Sequence, residues 1–129
     1  MLRILVADDQ EAIRKRVRSI LVSKCEFEVC AEAANGREAV EKAQELKPDL
    51  IIMDVTMPIL NGLDAARMIK RILPDTPIVI LSVHKSRQLM KEAQEIGVQG
   101  YVTKEEASQD LIKAADAVLH KLTFFPSEF

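Results

Sequence analysis

Apolar residues along this chain fall into two spacings that take turns. Near-continuous hydrophobic runs, Leu2-Arg3-Ile4-Leu5-Val6-Ala7, Leu50-Ile51-Ile52-Met53, Pro77-Ile78-Val79-Ile80-Leu81 and Gly100-Tyr101-Val102, have the length of buried strands. A fifth run, Phe27-Glu28-Val29-Cys30-Ala31, alternates apolar and polar positions in the manner of a sheet edge. Between the runs, hydrophobic residues recur at helical spacing. They are Ile13, Val17, Ile20 and Leu21; Ala39, Val40, Ala43 and Leu46; and Leu63, Ala66, Ile69 and Leu73. Leu89, Ala93 and Ile96 follow, then Leu111, Ile112, Ala115, Val118, Leu119 and Leu122. The punctuation agrees. Asn35-Gly36-Arg37-Glu38 reads as a capping box, with Asn35 accepting from freed amides and Glu38 reaching back. Ser86 reads as the cap of the fourth helix and Gly97 as its stop, while Pro48, Pro74 and Pro77 mark boundaries.

Five strand–helix units with near-continuous apolar strands predict an α/β fold, a parallel sheet covered by helices on both faces. Right-handed crossovers and five strands suit the flavodoxin-like (βα)5 sandwich of three layers, in strand order 2-1-3-4-5. One domain is expected over residues 1–122. Residues 123–129, which include Phe124, Phe125 and Phe129, are expected to be a tail or the start of a linker. Ligands in such sheets bind beyond the carboxyl ends of the strands, where the order reverses.

Composition narrows the setting. A hydrophobic content of 48% with 29% charged residues over 129 positions is that of one ordinary globular domain. No apolar run nears the roughly 20 residues of a membrane helix, and Asp8-Asp9 interrupt any signal-like start. Cys25 and Cys30 match no metal or redox spacing and read as reduced thiols, so the expected location is the cytoplasm. A net charge of -2 and 4% aromatic residues give no basis for nucleic-acid binding by this chain.

The chemistry lies at the strand ends. Asp8 and Asp9 close the first run, Asp54 the third, Ser82 the fourth, and Thr103-Lys104 follow the fifth. Like charges gathered at one sheet edge raise each other's pKa unless a cation or bound group offsets them. An all-oxygen cluster suits Mg²⁺, with Mn²⁺ able to substitute, whereas no His or Cys stands at Zn²⁺ or copper spacing. A carboxylate can also act as a nucleophile towards phosphorus, with a lysine and a metal neutralising the transferred oxygens.

These residues in this order resemble the response-regulator receiver domains of bacterial two-component signalling. The resemblance rests on Asp8-Asp9, the segment Met53-Asp54-Val55-Thr56-Met57-Pro58 with Asn61-Gly62, Ser82, and Tyr101-Val102-Thr103-Lys104. It covers Leu2 to about Leu122, and Tyr101 to Pro126 further resembles the NarL/FixJ-like (LuxR-type) subset, whose receivers usually precede a DNA-binding domain. The resemblance implies that Asp54 is the phosphoacceptor, taking a phosphoryl group from a sensor histidine kinase or phosphotransfer protein. It implies that Asp9 and Asp54 ligate Mg²⁺ directly, Asp8 through water, and Thr56 through its backbone carbonyl. Ser82 and Lys104 should contact the phosphoryl group. Tyr101 should swing inward and remodel the surface of helix 4, strand 5 and helix 5, with homodimerisation and control of transcription as outputs. Thr56 and His84 are positions that can tune the lifetime of the aspartyl phosphate.

Plainer readings stand beside these. Asp8-Asp9 alone reads as a helix-capping pair, Ser82 as a turn residue, Tyr101 as a half-buried strand aromatic, and His84 as an exposed side chain. Arg14 to Arg18 read as a solvated face, on the helix where kinases usually dock in this family. Gln10 and Glu105 depart from the family pattern. Many receivers have proline at the latter, and a cis bond without proline costs about 2.5–4 kcal/mol, so a cis peptide there is in doubt. Two other functions remain in view. A Mg²⁺-dependent phosphohydrolase ordinarily has a second acid two residues past its nucleophile, where this chain has Thr56, and a cap domain. A pseudo-receiver would lack one of Asp9, Asp54 or Lys104.

Overall fold

The computed structural model describes residues 1–127. Five strands, β1 (Leu2–Ala7), β2 (Phe27–Ala33), β3 (Leu50–Asp54), β4 (Ile78–Ser82) and β5 (Gly100–Thr103), form one parallel sheet in the order β2-β1-β3-β4-β5. The helices are α1 (Glu11–Val22), α2 (Gly36–Leu46), α3 (Gly62–Ile72), α4 (Arg87–Ile96) and α5 (Ala107–Leu119). The flavodoxin-like three-layer arrangement expected from the alternating units is the one observed.

Side chains alternate across the strands, so each strand feeds two cores. Leu5, Ile51, Met53, Ile78, Ile80 and Tyr101 pack on one face against Val40, Leu63, Ile69 and Ala93 of α2, α3 and α4. Ile4, Val6, Leu50, Ile52, Val79, Leu81 and Val102 pack on the other against Val17, Leu21, Leu111 and Val118 of α1 and α5. Burial on both faces is why these strands read as continuous apolar runs rather than alternating ones. The edge strand β2 is only half-buried in its middle, and its pairing with β1 shifts between Ile4 and Leu5, so that Cys30 is skipped.

The helix ends follow their sequence signals with one adjustment. Asn35 Oδ1 accepts from Glu38 N at 2.8 Å, but Glu38 Oε1 takes the amide of Ala34, at 3.1 Å, rather than that of Asn35. Ser86 and Gly97 cap α4 as expected, the glycine at φ 100°. Where the apolar spacing predicts α5 to run on through Leu122, the helix stops at Leu119. Lys121 turns into the left-handed region at φ 64°, and Leu122 is left exposed.

The expected tail is tied down. Phe124 N donates to Gln99 O at 2.9 Å, and Tyr101 N donates to Phe124 O at 2.9 Å, a parallel bridge at Gly100 on the free side of β5. Phe124 packs into the core beneath α1 and α5, and Phe125 into the opposite one. Phe124 thus takes up the amide of Tyr101 and the carbonyl of Gln99, groups that the free side of β5 would otherwise present unpaired. Phe129 lies outside the described residues.

Candidate functional site

Register decides what meets at the carboxyl edge of the sheet. Ala7 pairs with Met53, Asp54 with Leu81, and Ser82 with Thr103. Asp8, Asp54, Ser82 and Lys104 therefore leave neighbouring strands at nearly one level, across the point where the order reverses between β1 and β3.

Asp8 is 2% exposed and Asp54 5%, whereas Asp9 faces solvent. One carboxylate oxygen from each of the three lies within 4.8 Å of the others. The ammonium of Lys104 sits 2.7 Å from Asp8 Oδ2 and 3.4 Å from Asp54 Oδ1. Lys104 thus pairs with the two buried acids of the three, and among the described residues no ion pair reaches Asp9. Burial, then the neighbouring charge of Asp8, pushes the Asp54 carboxyl up to about 6, against the pull of Lys104. Asp8 spends Oδ1 on the amide of Gln10, at 2.9 Å, and Oδ2 has no hydrogen-bond donor besides its ionic contact with Lys104. This underneutralised, oxygen-only set fits a hard divalent cation. The pair does not cap α1, whose N-cap is Gln10 and has no side-chain cap bond.

A raised carboxyl makes stability depend on pH with a definite sign. Folded Asp54 holds its proton more tightly than the unfolded chain, whose value is 3.8. Its contribution is complete below that value and is lost as pH rises through about 6. Melting in EDTA at a series of pH values is expected to show wild type losing stability relative to Asp54→Asn across this window. Mg²⁺ is expected to reverse the loss at pH 7. A difference that does not vary with pH would show that Asp54 is already satisfied.

The loop after β3 sets the position of Asp54. Gly62 N donates to Val55 O at 2.8 Å, and a β-carbon on Gly62 would stand 1.8 Å from Asp54 O. Ile59, β-branched and exposed, lies at φ 71°, closed by a bond from Leu60 N to Pro58 O at 2.7 Å, a strained three-residue turn. Thr56 is exposed two residues past Asp54 and lines an open groove of about 370 Å³ between this loop, α3 and α4.

Ser82 and Tyr101 form a unit. Ser82 is fully buried, and its Oγ accepts from His84 N at 3.0 Å. Tyr101, also fully buried, donates its hydroxyl to His84 O at 2.7 Å. Burial raises the phenol above its usual value, and a hydrogen bond from Ser82 opposes that rise. The aromatic expected to be half-buried or to swing inward is inside in this structure. His84 is exposed and contributes its backbone, not its ring, to these bonds. No described peptide bond is cis, so Lys104-Glu105 is trans, and Glu105 pairs with Lys85 at 3.1 Å across the rim.

One expectation is corrected. Arg14 is not part of a solvated face: its side chain is largely buried, on the Asp8 carbonyl at 2.8 Å and Glu32 Oε1 at 2.9 Å. Its position three and seven residues before the buried Val17 and Leu21 was the available signal. Glu32, across the sheet edge, carried none.

Comparison with known proteins agrees with this geometry. Residues 4–116 match the family described as response regulator receiver domain. The transcriptional regulatory protein LnrK of Bacillus subtilis is 38% identical over 118 residues, 92% of this chain and 54% of that protein. The chain thus spans about half the length of the transcriptional regulators it matches. The chemotaxis protein CheY of Thermotoga maritima is 38% identical over 116 residues, 90% of this chain and 96% of that one. Among solved structures, a LuxR-family two-component response regulator from Aurantimonas is similar with a TM-score of 0.91 and 32% identity, covering 95% of this chain and 87% of that one. No helix among the described residues is long and apolar enough to cross a membrane. A doubly wound sheet carrying clustered acids, a hydroxyl and a lysine at its switch point, matched along most of its length, places the chain in the response regulator receiver domain family.

Proposed function

We propose that this chain is a phosphoacceptor switch in which Asp54 takes a phosphoryl group from a phosphohistidine on a sensor kinase or phosphotransfer protein. The observation that carries this is the ammonium of Lys104 set between the buried carboxylates of Asp8 and Asp54, with Asp54 pushed up to about 6. An oxygen of Asp54 attacks phosphorus, the new O–P bond forms as the N–P bond breaks, and the imidazole leaves with the electron pair. Lys104 holds positive charge against the transferred oxygens. The strained loop and Gly62 fix the attacking carboxylate.

Asp9 and Asp54, supported by Asp8 and the carbonyl of Thr56, would hold Mg²⁺, or Mn²⁺ in its place. The ion supplies charge neutralisation to the site. Ser82 then exchanges its bond to Tyr101 for a phosphoryl oxygen. That exchange releases the Tyr101–His84 contact and alters the face made by α4, β5 and α5. Thr56 and His84 flank the group and tune its lifetime. The output is association, through homodimerisation on that face or through an effector domain that controls transcription, in the cytoplasm. The likeness to LnrK favours the effector reading.

The test is intact mass after incubation with Mg²⁺ and a small acyl-phosphate donor. A labile gain of one phosphoryl group, absent in EDTA, is expected. No gain with any donor would make the chain a partner-binding pseudo-receiver. Rapid multiple turnover of a phosphoester would make it a phosphohydrolase.

A further inference from the structure

We propose that Arg14 is a positioning residue for the acidic turn, holding the main chain at Asp8 so that Asp8 and Asp9 meet a divalent cation in the right geometry. This rests on reading the acidic cluster as a cation site.

In the turn after β1 the Asp8 side chain is held by Lys104, at 2.7 Å, while the main chain has few restraints of its own. Asp8 N donates to Ala33 O at 3.0 Å, and Asp8 Oδ1 accepts from Gln10 N. The Asp8 carbonyl lies beyond the last residue β1 pairs with either neighbour, Ala7, and would point at nothing in the sheet. Arg14 Nη1 takes it at 2.8 Å. The other arm of the same guanidinium is fixed, because Arg14 Nε is 2.9 Å from Glu32 Oε1.

Glu32 is itself anchored. Arg18 holds its second oxygen at 2.6 Å and 3.2 Å, and these bonds keep its carboxyl below the usual range. Lys42 of α2 donates to its backbone carbonyl. A continuous line of contacts thus runs from α2 through the end of β2 and α1 to the carbonyl of a cation-site residue. The rigid, planar fork of a guanidinium holds these two separated acceptors in a fixed geometry, which the compact, rotatable ammonium of a lysine would not reproduce.

Charge and position predict opposite signs here, which makes the idea testable. A guanidinium beside an acidic cluster repels an incoming cation, so if Arg14 acts only through its charge, removing it tightens binding. If it positions the turn, removing it weakens binding despite the lost repulsion. Partners that orient metal ligands typically contribute about 10–100-fold in affinity.

The experiment is calorimetric titration of the full chain with MnCl₂ at pH 7, for wild type, Arg14→Ala and Arg18→Ala, with thermal melts as a check of folding. Arg14→Ala is expected to bind about tenfold more weakly. Arg18→Ala removes an equal charge and only the outer anchor of Glu32, leaving the Arg14–Asp8 bond in place, and is expected to weaken binding less than Arg14→Ala does. Arg14→Lys keeps the charge and loses the fork. It is expected to weaken binding too, and carries the test if the alanine variant folds poorly. Unchanged or tighter binding in Arg14→Ala, or in Arg14→Lys where that variant stands in, overturns the positioning role while leaving the cation site intact. Absence of Mn²⁺ binding to the wild type overturns the site reading itself, and the positioning role with it.

Discussion

Asp54→Asn is expected to gain no phosphoryl mass from any acyl-phosphate donor, yet to melt at a higher temperature than the wild type in EDTA at pH 7. Both effects come from removing the one carboxylate, the first through its chemistry and the second through its burial. Asp54 is 5% exposed and shares one lysine with Asp8, so at neutral pH it is held as an anion where an anion is disfavoured. The amide removes the charge and keeps the shape. Each unit of raised pKa corresponds to about 1.4 kcal/mol, and screening by the solvent that reaches the site reduces the gain to about 1–2 kcal/mol. That is several degrees in a domain of this size. Chemically the variant lacks the proposed nucleophile, because an amide nitrogen or oxygen does not replace a carboxylate towards phosphorus. Intact mass reads the first effect and a melt the second. Residual labile phosphorylation would move the acceptor to Asp8 or Asp9. A lower melting temperature would mean that Lys104 more than repays the burial of Asp54.

Gly62→Ala should be among the most damaging single-methyl changes in the molecule. The added carbon would stand 1.8 Å from Asp54 O, 2.8 Å from Asp54 C and 3.0 Å from the Cα of Val55, all backbone. No rotamer relieves such a contact. Either α3 withdraws from β3 or the end of β3 bends, and the second choice moves Asp54, the proposed phosphoacceptor. Overpacking typically costs about 1–3 kcal/mol, and a clash with main chain belongs at or above the top of that range. Urea unfolding is expected to show at least about 3 kcal/mol lost, with phosphoryl uptake falling in whatever fraction remains folded. A variant within about 0.5 kcal/mol of the wild type would show that the loop after β3 is loose and does not fix Asp54.

The sequence was most informative where one physical demand acts on a whole segment. A strand buried on both faces must be apolar throughout, so β1, β3 and β4 were visible as runs. Helix α4 was bracketed by Ser86 and Gly97 because its ends need a side-chain acceptor and a left-handed residue. It misled where neighbours overrule spacing. Leu122 continued the apolar pattern of α5, but the chain turns at Lys121 to lay Phe124 along β5. Arg14 looked like one of four solvated cations, yet the end of β1 leaves a carbonyl for it and the end of β2 a carboxylate.

By itself, then, the sequence indicated the class of fold through periodicity and a set of candidate groups at the strand ends, Asp8, Asp9, Asp54, Ser82 and Lys104, through residue chemistry, both of which are local. The strand order followed from general crossover rules, and the role expected of Tyr101 came only from the resemblance to receiver domains. Only the tertiary structure decided how the groups differ. Register brings Asp8 and Asp54 to one lysine, burial separates these two from the exposed Asp9, and the pairing of Ser82 and Tyr101 through His84 joins the site to β5. Charge and hydrogen bonding depend on distance and on the exclusion of water, and both are set by residues far apart in the chain.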